Sequence, residues 1–349
     1  MSREPPRGRG TGARPPCRFH ELVREAVDDG WPREAEPPPP TRLYTEAARS
    51  AISRNDSPDV PFDRSVNPYR GCEHGCIYCY ARPGHAWLGF SPGLEFETHI
   101  VARPDLPGLL EREISAPGYE CRPLALGTFT DAWQPVERRC RLTRAVLERL
   151  LALRHPVSVV TKSALVERDL DLLQALAAEG LVHVHLSVTT LDPGLARRLE
   201  PRAAAPRRRL QALAALAAAG VPAGVLVAPL IPVLTDGELE RILEAAADAG
   251  AGFAGWVLLR LPGETGPLFE DWLRAHFPGR AEHVLARVRE AHGGRLYDAR
   301  FGRRMRGAGE YARLLQRRFA LACRRLGLAT APPPLATDRL RRPHQLDLL

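Results

Sequence analysis

Apolar runs alternate with amphipathic helical patterns through the middle of this chain. We place six strands, each bounded by turn residues, at 65–71, 123–131, 157–163, 182–190, 221–231 and 255–261. The helical periodicity between them gives a βα rhythm, which is typical of a parallel sheet covered by helices. Six such units with right-handed crossovers predict an α/β fold, a partial (β/α)6 TIM-type barrel, with its chemistry at the carboxyl ends of the strands.

Polar caps and glycines mark the predicted helix boundaries. Ser163 precedes one apolar helical face, and Thr235 with Glu238 has the spacing of a capping box ahead of another. The three glycines that follow helical patterns, as C′ residues do, are Gly180, Gly220 and Gly250.

The ends of the chain differ in composition from its middle. Composition and pattern predict five regions. They are a disordered Pro/Arg-rich segment at 1–40, a connecting arm at 41–64, the barrel at 65–278, a C-terminal helical extension that closes the barrel at 279–330, and a tail of low order at 331–349. The chain has no apolar run of about 18 residues and no apolar h-region near its start. These features predict a cytoplasmic protein with no membrane contact.

The charge pattern leaves the partner open but singles out one lysine. The formal net charge is +8 and the pI about 9.4, which favours a polyanionic partner. Lys162 is the only lysine among 49 basic residues, which indicates the codon bias of a GC-rich genome. Nucleic-acid binding and a merely solvated basic surface therefore both remain open. This bias makes Lys162 a candidate for a specific role, because a lysine retained among so many arginines indicates that arginine would not serve at this position.

Three cysteines follow the first predicted strand in the sequence NPYRGCEHGCIYCYARP. Cys72, Cys76 and Cys79 form a C-x3-C-x2-C pattern, and such thiolates bind an iron–sulfur cluster or help to bind zinc. Structural zinc sites and electron-transfer clusters use four ligands, whereas three leave a coordination position open for a reactant. The cysteines at 17, 121, 140 and 323 are too distant in sequence to be an evident fourth ligand. A non-enzymatic, metal-stabilised binding module remains the alternative.

With Tyr78 before the last cysteine, this motif resembles the signature of the radical S-adenosylmethionine (SAM) superfamily. The segments RNDSPDVPFDRSVNPYRGCEHGCIYCYARP and GTFTDAWQPVERRCRLTR are similar to the spore photoproduct lyase-like family, also called DNA repair photolyase-like, over roughly residues 50–260. The resemblance implies a radical SAM barrel in which the three cysteines hold a 4Fe-4S cluster. It also implies reductive cleavage of SAM to a 5′-deoxyadenosyl radical, with electrons from a reductant such as flavodoxin or ferredoxin.

The resemblance further implies SAM contacts at four positions. Lys162 closes the third strand and resembles the lysine that neutralises the SAM carboxylate; its alternative is a side chain that reaches to solvent. Thr130 and Ser187, near strand ends, either bind SAM or satisfy local backbone groups. Tyr78 either lies against the adenine or packs beneath the cysteine loop. Other polar candidates, for substrate, for helix capping or for the surface, are His74, Asp131, Gln134, Glu137, Arg202 and Arg260.

The substrate is less sharply indicated than the chemistry. Phe129, in GTFTD, stands where the resemblance implies a cysteine that returns a hydrogen atom to the product, so thymine-dimer repair is disfavoured. Cys121 and Cys140 flank this segment and could substitute for that cysteine. We expect action on nucleic acid, in repair or modification, with modification of a protein or small molecule as the alternative. Gln345–Leu349 resembles the peptide that docks DNA-processing proteins to the sliding clamp, or is a tail without function.

Overall fold

The computed structural model describes residues 5–6, 8–13, 15 and 39–342. Its strands are β1 (Arg42–Thr45), β2 (Ile52–Arg54), β3 (Arg64–Val66), β4 (Tyr69–Arg70), β5 (His99–Ala102), β6 (Leu124–Leu126), β7 (Val157–Thr161), β8 (Val182–Ser187), β9 (Ala223–Leu230) and β10 (Phe253–Leu258). Its α-helices are α1 (Glu95–Thr98), α2 (Leu106–Ser115), α3 (Glu137–Cys140), α4 (Leu142–Ala152), α5 (Leu170–Ala178), α6 (Pro193–Leu199), α7 (Pro206–Ala218), α8 (Leu239–Asp248), α9 (Thr265–His276), α10 (Ala281–Ala291) and α11 (Gly309–Leu326). Shorter 3-10 helices span Arg82–Leu88, Ala164–Asp169 and Asp236–Glu238.

The large sheet contains a strand from each of the six predicted runs, although the first run, 65–71, is divided between β3 in this sheet and β4 in a second one. Its order is β10-β9-β8-β7-β6-β3-β2, in which the first six strands are parallel and β2 pairs antiparallel with β3. β10 and β2 are its edges, so within the described residues the sheet is open and forms no closed barrel. The prediction of an α/β fold with six parallel strands is confirmed.

The strands are apolar because the sheet is buried. Val159 on β7 pairs with Leu126 on β6 and with Val184 on β8, and all three side chains are buried. Helices α5, α7 and α8 pack against β8 and β9 and supply leucines to the same core. Removing this apolar surface from water is the main favourable contribution to folding, at roughly 25 cal/mol per Å².

A smaller sheet lies beside the large one. It has the order β1-β5-β4, with β1 parallel and β4 antiparallel to β5. The predicted connecting arm, 41–64, thus contains two strands, β1 and β2. β4 ends at Arg70, two residues before Cys72, so this small sheet fixes the start of the cysteine loop.

The helix boundaries follow the local signals with one exception. Ser163 Oγ accepts a hydrogen bond from Leu165 N at 3.2 Å, as a cap should. The predicted capping box at Thr235 and Glu238 does not form. Thr235 Oγ1 instead accepts from Ile231 N at 2.8 Å, while Glu238 accepts from backbone and hydroxyl groups after β8. The glycines with left-handed φ values of 68°, 74° and 88° that end α5, α7 and α8 are Gly180, Gly220 and Gly250.

The last two helices form where their periodicity predicts, at 281–291 and 309–326. α11 lies on the β10 side of the sheet. α11 packs against α8. After α11 the chain runs beside β10, where Ala254 N donates a hydrogen bond to Ala329 O at 2.8 Å. The extension therefore covers the β10 edge. No helix in the described ranges could cross a membrane, and Gln345–Leu349 lies outside the described residues.

Neighbouring leucines of α11 provide a test of this packing. Leu315 is fully buried, whereas Leu314 is 50% exposed. We expect Leu315→Ala to lower the free energy of unfolding by about 2–5 kcal/mol, because it leaves a cavity. Leu314→Ala should stay within about 0.5 kcal/mol of the unsubstituted chain. Urea unfolding followed by circular dichroism measures both, and equal losses would contradict the placement of α11.

Candidate active site

The three cysteines lie on one buried loop at the carboxyl edge of the parallel strands. Cys72 and Cys76 are buried and Cys79 is half-buried. Gly71 and Gly75 have φ values of 76° and 68°, which glycine adopts without strain. A Cβ at either position would also lie only 2.8 Å from a neighbouring oxygen. The tight path of the loop therefore depends on both glycines.

Arg82 holds the middle of this cysteine loop by hydrogen bonds to its backbone. Its side chain is fully buried, and Nε and Nη2 donate to Cys76 O at 3.0 and 2.9 Å. Nη1 donates to Gly93 O at 2.9 Å, and Nη2 forms an ion pair with Glu97 Oε1 at 2.5 Å. One guanidinium thus joins the cysteine loop to the segment before β5.

Glu97 also binds a segment from the start of the chain. Gly10 N donates to Glu97 Oε2 at 2.9 Å, and Arg9 donates to Glu97 O at 2.7 Å. A Cβ on Gly10 would lie 1.9 Å from Gly75 O, so only glycine fits there. Arg9, Gly10 and Thr11 are buried. This stretch departs from the disorder that composition predicts for 1–40, because its backbone fills a groove against the cysteine loop.

Gln134 fixes the front of the cysteine loop. It is fully buried, its Nε2 donates to Gly71 O at 3.0 Å, and its Oε1 accepts from Glu73 N at 2.9 Å. Arg202 lies 3.2 Å from Glu73 Oε1 in an ion pair. Both residues were candidates for substrate contact, and the structure uses both to hold the loop.

Lys162 and Ser187 meet at the ends of β7 and β8. Lys162 Nζ donates to Ser187 Oγ at 2.5 Å and to Ala228 O at 3.0 Å. The same ammonium lies 5.8 Å from the centre of the Tyr78 ring. Three of the four predicted SAM-contacting residues are therefore brought together beside the cysteine loop.

Glu200 is the hub of this cluster, and sequence reasoning missed it. It is buried, hydrogen-bonds Tyr78 and Arg209, and accepts from Thr189 Oγ1 at 2.7 Å. Lys162 Nζ lies 3.6 Å from its Oε1. Burial would raise the pKa of Glu200, but Arg209 and Lys162 outweigh it and lower the pKa to about 2. The carboxylate therefore stays charged, and it lies between two cations, Lys162 and Arg209.

Thr130 does not join the other three. Its Oγ1 donates to Tyr69 O at 2.8 Å, so the hydroxyl satisfies a backbone group next to the cysteine loop. Asp131 takes the position beside Lys162 and accepts from Lys162 N at 2.7 Å. His74 Nδ1 lies 3.5 Å from Asp131, and burial lowers the pKa of this histidine.

The remaining candidates are dispersed. Glu137 is buried and accepts from Thr143 N at 3.0 Å, which is a structural role. Arg260 lies over the Tyr80 ring at 4.3 Å, at the rim of the site. Phe129 is 39% exposed. Cys121 precedes β6 and so lies at the amino edge of the sheet, opposite the cysteine loop, which removes it as a substitute thiol.

The cysteine loop offers three thiols as possible ligands. Within the described residues, no group of three or more His, Cys, Asp or Glu side chains is arranged to hold a metal ion. Thiols are the donors that iron–sulfur clusters use. The chemistry of the donor set, two buried thiols and one half-buried thiol on one loop, therefore suits such a cluster.

Comparisons with known proteins agree with this geometry. A family model described as the radical SAM superfamily matches residues 66–246. An uncharacterized protein of Mycobacterium bovis is 39% identical over 236 residues, which are 67% of this chain and 68% of the relative. One from Methanocaldococcus jannaschii is 30% identical over 174 residues, 50% of this chain and 62% of the relative.

Solved structures of spore photoproduct lyase share the fold. A mutant with bound AdoMet and dinucleoside spore photoproduct has a TM-score of 0.58 and 18% identity, covering 82% of this chain and 81% of that one. A complex of the enzyme with dinucleoside spore photoproduct has a TM-score of 0.56 and 17% identity over the same shares.

The Arg82–Glu97 pair provides a test of how the loop is held. We expect Arg82→Met to lower the free energy of unfolding by about 3–5 kcal/mol, because it leaves Glu97 charged and buried without its partner. Arg274→Met, which breaks exposed pairs with Glu270 on α9 and Glu282 on α10, should leave the stability nearly unchanged. Denaturant unfolding gives both values. Equal stability of the two variants would show that the buried pair does not hold the loop.

Proposed function

Since the chain belongs to the radical SAM superfamily, we propose that Cys72, Cys76 and Cys79 hold a 4Fe-4S cluster and that the protein cleaves SAM reductively. Members of this superfamily are enzymes that bind such a cluster and SAM and need a reductant. The cofactors supply electron transfer into SAM and a 5′-deoxyadenosyl radical that abstracts hydrogen. We propose flavodoxin or ferredoxin as the reductant and the cytoplasm as the location.

The observation that carries this proposal is the position of Lys162 beside the cysteine loop. Its ammonium is mostly buried, lies near Tyr78, and is held by Ser187 and Ala228 O. A fixed cation at this point suits the carboxylate of an amino acid. Glu200 lies 3.6 Å from this ammonium and also pairs with Arg209, so it helps to hold the Lys162 side chain in this position.

The surrounding residues have defined tasks in this proposal. Tyr78 forms one wall of the SAM site, and its hydroxyl is held by Glu200 and by Thr189 at 3.2 Å. Arg82 and Gln134 keep the ligand loop in one conformation, as precise positioning of reacting groups requires. Thr130 acts indirectly, by fixing the backbone of Tyr69 just before the loop.

The first test is cleavage of SAM by the reconstituted enzyme. Anaerobic protein with dithionite should convert SAM to 5′-deoxyadenosine and methionine, measured by chromatography. Cys76→Ala should abolish this conversion, because it removes a proposed cluster ligand. Cys121→Ala, at the opposite edge of the sheet, should retain it. A wild-type enzyme that holds an intact cluster and binds SAM without cleaving it would refute the proposal.

For the substrate, we propose nucleic acid, in repair or modification. Two observations support this class: the likeness in fold to spore photoproduct lyase, which is solved with a dinucleoside photoproduct, and the net charge of +8. Phe129 in place of a thiol favours modification, or repair of another lesion, over repair of thymine dimers. We also propose that Gln345–Leu349 docks to the sliding clamp.

The second test presents candidate substrates to the active enzyme. We expect single-stranded DNA or RNA to stimulate SAM cleavage, and deuterium to pass from the labelled nucleic acid into 5′-deoxyadenosine, as measured by mass spectrometry. Polyglutamate of matched charge serves as the control polyanion. Stimulation by a protein or small-molecule fraction of cell extract, with none by nucleic acid, would overturn the substrate class while leaving SAM cleavage intact.

A further inference from the structure

The segment between α10 and α11 has an unusual concentration of arginine. Residues 293–308, which we name the arginine loop, contain arginines at 295, 300, 303, 304 and 306 and a single acidic residue, Asp298. Five of the twelve residues from 295 to 306 are arginine, against 48 of 349 in the chain. Codon bias sets which basic residue is used, but it does not place basic residues together.

The arginine loop reaches the rim of the proposed active site. Leu258 N, at the carboxyl end of β10, donates to Met305 O at 2.9 Å. Arg260 Nη1 lies 3.0 Å from Met305 Sδ, and its guanidinium lies 4.3 Å from the ring centre of Tyr80. Tyr80 directly follows Cys79, so a short series of contacts joins the arginine loop to the cysteine loop.

The same loop also contacts the connection between β2 and β3. Gly302 N donates to Asp59 Oδ1 at 2.6 Å, and Arg304 Nε donates to Asp59 Oδ2 at 2.6 Å. Asp59 lies between β2 and β3, the strands at the side of the sheet opposite β10. The loop therefore contacts segments from both sides of the sheet, which hold it in place.

Two exposed arginines of the loop form no ion pair with a carboxylate of the described residues. Arg304 pairs with Asp59, and Arg300 pairs with Asp298 at 2.7 Å. The Arg306 guanidinium packs over the buried Trp256 ring, 4.5 Å from its centre. Arg295 and Arg303 are exposed and have no such partner among the described carboxylates. These two cations attract a polyanion and add its counterion-release free energy to binding.

Exposed aromatic rings accompany these charges. Phe301, inside the arginine loop, is 54% exposed, and the Arg304 guanidinium lies 4.7 Å from its ring centre. Tyr80 and Phe129, at the rim of the site, are also exposed. Guanidinium groups interleaved with exposed rings bind single strands, because phosphates pair with the cations and bases stack on the rings.

We propose that the arginine loop is the binding surface for a single-stranded nucleic acid, with Arg295 and Arg303 on the phosphates and Phe301 stacked on a base. The proposal rests on nucleic acid as the proposed substrate class, and it adds the strand state and the residues that recognise it. The contacts of Met305 with Leu258 and Arg260 hold the loop near Tyr80 and the cysteine loop, so a strand bound there lies beside the proposed active site.

Binding of a short fluorescein-labelled DNA oligonucleotide, measured by anisotropy between about 50 and about 200 mM salt, tests this surface. Arg295→Gln with Arg303→Gln should weaken binding about tenfold or more, and the slope of log K against log salt should fall by about 1.4. Arg317→Gln with Arg324→Gln, which removes two exposed charges from α11, should bind like the wild type. Phe301→Ala should weaken binding about tenfold with an unchanged salt slope, because stacking is lost while the charges remain.

A charge-conserving variant separates binding from folding. Arg295→Lys with Arg303→Lys should recover most of the affinity and the full salt slope, whereas a folding defect would not be rescued by charge. Wild-type protein that cleaves SAM but binds no nucleic acid would overturn both the substrate class and this surface. Wild-type binding that both double Gln variants weaken equally, or displacement by polyglutamate with no effect of Phe301→Ala, would overturn the surface alone.

Discussion

The buried ion pair between Arg82 and Glu97 is the interaction on which the cysteine loop depends. Arg82 holds Cys76 O, and Glu97 holds the backbone of Gly10. Burial raises the pKa of Glu97 even though Arg82 lies against it. Burial therefore opposes the charge that Arg82 favours, and the pair joins Cys76 O to the segment before β5 in one arrangement. A site that must hold reactants in fixed positions uses such rigidity.

The rest of the site is built from the ends of neighbouring strands. Because parallel strands present their carboxyl ends at one edge, Lys162 and Ser187 arrive beside the cysteine loop without long connections. Asp131 links the loop after β6 to the backbone N–H of Lys162, and Glu200 links the loop after β8 to the Lys162 ammonium. Each loop is thus positioned by charged groups from its neighbours, so the loops are coupled as one unit.

Most of the fold could be predicted from the sequence, because each strand is a short apolar run bounded by turn residues. Ser163 and the helix-ending glycines were also predictable, because they act on the residues next to them. The residues of the site could be predicted from the sequence only in part. Cysteine spacing and the lone Lys162 are local signals, but Glu200 and Arg209 pair across a loop, and neither stands out among many charged residues. Thr130 shows the same limit, because strand-end hydroxyls bind backbone or ligand with equal ease. The packing of Gly10 was hidden by a composition that predicts disorder.

The contact between Gly10 and Glu97 also has a consequence for the order in which the protein takes shape. The two residues are 87 positions apart, so a ribosome makes one long before the other. A contact between distant residues forms only after the intervening chain has been ordered or closed into a loop. Gly10 can therefore take its place only once Glu97 and the chain around it are ordered, so the contact that lines the cysteine loop with the Gly10 backbone is completed late in folding.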